Sequence, residues 1–241
     1  MSAPPERQPP LPEWLRPVAQ RFSPFIKWLV IVETLAYFMY ATAPAARDFI
    51  VSQLALGPNM ATGKFWQPVS ALFVHVDPLT FAINIIGVWF LASAMEVALG
   101  RARFLLVFFV PAILGHLAQG VASALLGNVF VAAGCGLSVL AVIVAFGVHY
   151  DRTPARIWGR LILPARGFAA LLVLFSLSVE LVSHRWPAMV GTVVSVLMSY
   201  VLCGGKGEPI APPKPARPSR PRVQMQVLEG GKGKTDPRYL N

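Results

Sequence analysis

Thr80 and Asn84 stand four residues apart in an apolar run, a spacing that puts both on one face of a helix. Polar groups inside a membrane helix are costly and turn toward the bundle interior. With His75 just upstream, the pair predicts a polar cavity near the outer surface of a membrane. The plainer alternative is an interhelical hydrogen bond from Asn84 and an interfacial His75. A second constellation is Ala133-Gly134-Cys135-Gly136-Leu137-Ser138. Its thiol and hydroxyl are three residues apart and can face one interior. Either becomes a nucleophile only with a proton acceptor within about 3 Å. Without one, both are small residues that let helices pack closely. Glu33 and Glu180 are acids inside apolar runs, which lipid tolerates only when they are paired or protonated. Glu180 is four residues before His184, near the outer end of its run, and can snorkel or pair with Arg185. Glu33 suits a hydrogen bond to a neighbouring helix or a relay. Cys135 and Cys203 offer neither a disulfide framework nor metal-ligand spacing, so no metal and no cofactor are expected.

The elements that must position these groups are membrane helices. Hydrophobic residues make up 55% of the 241-residue chain and charged residues 13%, about half the charge of a soluble domain. Six runs are long enough to approach the roughly 20 residues a bilayer needs: 25–42, 79–98, 104–125, 130–149, 167–183 and 187–203. The segment 43–78 is longer than a hairpin loop, with an amphipathic stretch at 47–56, a break at Gly57-Pro58 and Trp66 near its end. Placing the N-terminus inside leaves only Arg47, Lys64 and Arg185 of the 21 Lys and Arg residues outside, which predicts six spans with both termini cytoplasmic. Residues 1–22, basic and Pro-rich, and 205–241, polybasic, lack the apolar content for a core and are expected to be disordered, around a transmembrane domain at 23–204. The net charge of +10 lies in tails and short loops, so it points to lipid head groups on the cytoplasmic leaflet rather than to nucleic acid. The expected location is a bacterial-type inner or plasma membrane, crossed several times.

The run Trp66-Gln67-Pro68-Val69-Ser70-Ala71-Leu72-Phe73-Val74-His75, with Asn84 nine residues on, then Trp89 and Ala92-x-x-x-Glu96-x-x-x-Gly100, resembles the rhomboid family of intramembrane serine proteases. The resemblance covers roughly 60–203 and implies a six-helix all-α membrane bundle. It implies a Ser nucleophile in a Gly-x-Ser-Gly setting at the start of the fourth helix. It also implies a His base on the sixth helix, and a His and an Asn on the second that hold the oxyanion. Asn84 matches the Asn. Thr80 stands where that His would be, and His75 matches an earlier, non-catalytic His. Gln67 and Ala92 depart from the usual Arg and Gly. Two registers compete for the nucleophile: Cys135-Gly136 fills the Ser-Gly slot, or Ser138 follows Gly136-Leu137. Gly191, Ser195 and Ser199 form the small-residue stripe of the sixth helix. The base position three residues before Gly191 is Ala188, or Met189 if the register slips, and neither accepts a proton.

The leading expectation is therefore a pseudoprotease that binds transmembrane client segments at a cavity near Thr80, Asn84 and Ser138. The alternative is an active intramembrane endopeptidase that pairs Ser138 or Cys135 with His184. A transporter using Glu33, Glu180 and Asn84 ranks last, since no internal repeat supports it.

Overall fold

The structure, a computed structural model, describes residues 23–57, 60, 63–127, 131–151, 154–157 and 161–204. The tails expected at 1–22 and 205–241 lie outside the described residues. Helix α1 spans Pro24–Thr42. Ser23 caps it, accepting a hydrogen bond from the Ile26 amide at 3.2 Å while donating to Glu96. Helix α2 (Pro44–Phe49) runs on into a π-helical turn, Ile50–Leu54. After a loop come α3 (Gln67–Ser70) and a 3-10 turn, Ala71–Phe73. Helices α4 (Pro78–Gly87) and α5 (Ser93–Leu99) are joined through a π turn at Val88–Ala92 into one continuous rod. Then follow α6 (Arg101–Leu126) and α7 (Gly136–His149). A two-stranded antiparallel hairpin of β1 (Pro154–Ile157) and β2 (Leu161–Pro164) leads to α8 (Ala165–Val182) and α9 (Trp186–Leu202).

Four of these helices are long and apolar enough to cross a membrane: α1, the α4–α5 rod, α6 and α8. Helices α7 and α9 are apolar but shorter, at 14 and 17 residues. The expected fourth span, 130–149, is thus only partly helical. Ala132 instead pairs with Leu56 through two backbone hydrogen bonds of 2.8 and 2.9 Å, and the Gly134 amide donates to the Ala71 carbonyl at 2.8 Å. Gly134 holds φ +113, a conformation that only glycine adopts cheaply, and it turns the chain into α7. Apolar composition alone could not separate this extended lead-in from the helix that follows. At 14 residues, α7 is about 21 Å long, well short of a hydrocarbon core of about 30 Å.

The predicted small-residue stripe of α9 is a packing face. A Cβ added to Gly191 would collide with the Gln119 side chain and lie 2.6 Å from the Gly115 carbonyl. One added to Gly115 would stand 2.8 Å from the Gly191 carbonyl. Ser195 donates to the Leu137 carbonyl at 3.3 Å, and Ser199 to the Ala141 carbonyl at 2.6 Å. Close backbone approach sealed by such hydrogen bonds holds membrane helices together where no hydrophobic force acts between them; each bond contributes about 0.6–1.7 kcal/mol. At the opposite end of the bundle the core is aromatic, with Phe25 edge-on to Phe104, Phe108 and Phe109.

Candidate functional site

Asp77 sets the start of α4. Its carboxylate accepts the Thr80 amide at 2.7 Å, and this hydrogen bonding holds it below the ordinary carboxylate value. From that start, Asn84 falls on the interior face of α4, where it is buried, while Thr80 one turn earlier is open to the cavity. The Asn84 amide is 3.2 Å from Nε2 of His75. His75 thus has a polar partner inside the protein. It is buried and packs edge-on to Phe81. A Cβ on Gly134 would sit 3.0 Å from the His75 ring and 3.1 Å from the Asn84 amide, so the glycine makes room for the pair.

A cavity of about 780 Å³ opens beside this pair. Thr80, Asn84 and Gly87 line it from α4, His116 and Gln119 from α6, Gly136 and Leu140 from α7, Phe175 and Glu180 from α8, and Ala188 and Thr192 from α9. Thr80 and Asn84, expected to face one cavity, are both among its lining residues. Ala188 is also part of its wall. Two residues in the wall escaped the sequence reading as site residues. His116 is buried on α6 with Nδ1 against the Pro68 carbonyl at 3.1 Å; that N–H donates, so Nε2 is the acceptor. Gln119 is one turn further on and also buried. The signal available was their i, i+3 spacing on a single helix.

The two candidate nucleophiles part company. Ser138 is wholly buried, and its Oγ has no hydrogen-bond partner. Cys135, the residue capping α7, is wholly buried too, but its Sγ donates to Oε2 of Glu33 on α1 at 3.5 Å. Neither residue lines the cavity. An imidazole does approach the thiol, from His75 rather than from α9: Glu33, His75 and Cys135 place a ligand atom each within 4.8 Å of one another. His184 is exposed in the α8–α9 turn, at φ +52, with its ring near Trp186 and outside the cavity wall. Glu180 accepts the Thr192 hydroxyl of α9 at 2.7 Å, with the Arg185 charge also acting on it.

Residues 62–205 match the Rhomboid domain family. The chain belongs to the rhomboid family. It is 21% identical over 179 residues to a Bacillus subtilis (strain 168) protein named "Putative rhomboid protease YdcA", covering 73% of this chain and 89% of that one. It is also 24% identical over 97 residues to Rhomboid-like protease 3 of Toxoplasma gondii, covering 38% of this chain and 37% of that one. The protein is thus a multi-pass integral membrane protein with a rhomboid domain. Within that domain Asn84 is buried and Ala188 lies in the cavity wall.

Proposed function

We propose that this rhomboid is a pseudoprotease that binds transmembrane segments of client proteins in the groove between α4 and α8 without cutting them. The observation that carries the reading is the pairing of an unpartnered Ser138 hydroxyl with Ala188 in the base position. A serine without a base loses orders of magnitude of rate. The thiol of Cys135 is directed at Glu33 and lies outside the cavity wall, so a peptide in the groove does not meet it. The exposed ring of His184 gives no support to the pairing with either nucleophile.

Clients would enter sideways from lipid. The wall is apolar along Ile83, Phe90, Leu172 and Phe175, with polar groups at Thr80, Asn84, His116 and Gln119. Such a lining suits a helix that carries one or two polar or small residues in its membrane span. The remaining assignments belong to the same proposal: six spans with both termini cytoplasmic, a plasma-type membrane, and basic tails held to anionic lipid. Purified protein incubated with a panel of rhomboid substrates tests it. Intact substrate that co-purifies with the protein supports it. Cleavage that disappears with Ser138→Ala or Cys135→Ala contradicts it.

A further inference from the structure

The client groove leaves one polar cluster unused. Glu33 of α1, His75 from the loop before α4 and Cys135 at the start of α7 are each 0–1% exposed. Their ligating atoms all lie within 4.8 Å of one another, and none of the three lines the cavity. Two atoms in the cluster, Oε1 of Glu33 and Nδ1 of His75, are buried with no hydrogen-bond partner among the described residues. The thiol has a single proton, and it goes to Oε2 of Glu33. Protein groups alone therefore leave an acceptor and a ring nitrogen unsatisfied at the same point, a costly condition in an apolar interior.

We infer that Glu33, His75 and Cys135 form a buried site for a divalent transition metal of the zinc class. The donor set is the first argument. Thiolate and imidazole together select zinc or cobalt over magnesium or calcium. The spacing is the second. Bonds of about 2.0–2.3 Å in a tetrahedron put neighbouring ligand atoms roughly 3.3–3.8 Å apart. The sulfur and the Glu33 oxygen already stand at 3.5 Å. Charge is the third: a thiolate, a carboxylate, a neutral imidazole and a dication sum to zero, so the filled site is neutral in a medium that penalises net charge. The second shell is the fourth. Asn84 stands 3.2 Å from Nε2 of His75; an end-for-end turn of its amide lets the oxygen accept from Nε2–H, which holds the ring and leaves the Nδ1 lone pair for the ion.

Three protein ligands leave a fourth position for water. Because the cluster is shut off from the groove, the ion acts as a clasp. It ties α1 to the lead-in of α7 and to the segment that positions Asn84. The site is independent of whether clients are cut. It was invisible in the sequence because its ligands are separated by tens of residues on three segments, with no short motif.

The full-length protein, purified in detergent and stripped with a chelator, is titrated with Co²⁺ and, separately, with Zn²⁺. The expected result is one ion per chain, a cobalt spectrum with a thiolate charge-transfer band and tetrahedral d–d bands, and a higher unfolding temperature with zinc. Cys135→Ser is expected to abolish the charge-transfer band. Glu33→Gln and His75→Ala should weaken cobalt binding by tenfold or more, Asn84→Ala by about 10–100-fold, and Cys203→Ser should change nothing. Size-exclusion elution and circular dichroism identify any variant that has simply misfolded. Wild-type protein that shows no thiolate band with Co²⁺ overturns the inference without recourse to a variant. A band that survives Cys135→Ser or vanishes with Cys203→Ser overturns it as well.

Discussion

The contact between Asn84 and His75 joins a helix to the loop before it inside an apolar bundle. Truncating one partner leaves the other buried and unpaired, which costs about 1–3 kcal/mol. Asn84→Ala is expected to lower the unfolding temperature in detergent, and an unchanged temperature would mean that the pair is not formed. Asp77 behaves differently because it is exposed. Its carboxyl is held below the ordinary 3.8 by the Thr80 amide, so its contribution to folding is present at neutral pH. It is lost as the pH falls through the lowered native value. Asp77→Ala should destabilise the start of α4 by about 1 kcal/mol at pH 7, and Asp77→Asn, which still caps, should do so much less. Unfolding measured between pH 7 and pH 3 would show the wild type converging on Asp77→Ala as the cap protonates. At this scale the sequence was informative wherever neighbours share a helix: Thr80 with Asn84, and the stripe on α9. It was silent where partners come from distant segments. Nothing local to Cys135 points to Glu33, 102 residues away, and nothing local to His75 shows that the fold brings Asn84 and Gly134 around it.

Helix α9 lies against α6 and α7 through residues chosen for their smallness. The space at Gly191 is closed by backbone on the far side, the Gly115 carbonyl, which cannot rotate away. Overpacking here should cost about 1–3 kcal/mol. Gly191→Ala is expected to lower the unfolding temperature clearly, whereas Val193→Ala, on an exposed position of the same helix, should leave it nearly unchanged. Equal effects would argue that α9 does not pack by its glycine face. The π turn at Val88–Ala92 is a further element that periodicity did not reveal. Apolar residues line both sides of it, and a one-residue shift in hydrogen bonding leaves no compositional mark. The same blindness explains the fourth span. Residues 131–135 are as apolar as a helix should be, yet the positive φ of Gly134 and the pairing of Ala132 with Leu56 make them an extended lead-in.

The molecule as a whole presents a groove between α4 and α8, lined by apolar and polar side chains, in a rhomboid domain; under the proposed function, Ala188 in its wall is the site of a missing base. The orientation proposed for it is testable on intact cells. A cysteine introduced at Lys64, in a background of Cys135→Ser and Cys203→Ser, should react with a membrane-impermeant maleimide, while one introduced at Arg152 should react only after lysis. The reverse pattern would invert the topology. The pseudoprotease reading stands or falls on chemistry at the groove. The most direct measurement is mass spectrometry of a transmembrane substrate reconstituted with the protein in lipid vesicles, with a photo-crosslinker at the centre of its span. The account expects crosslinks to α4 and α8 on an intact substrate. New termini within that span, lost when Ser138 or Cys135 is replaced by alanine, would contradict it.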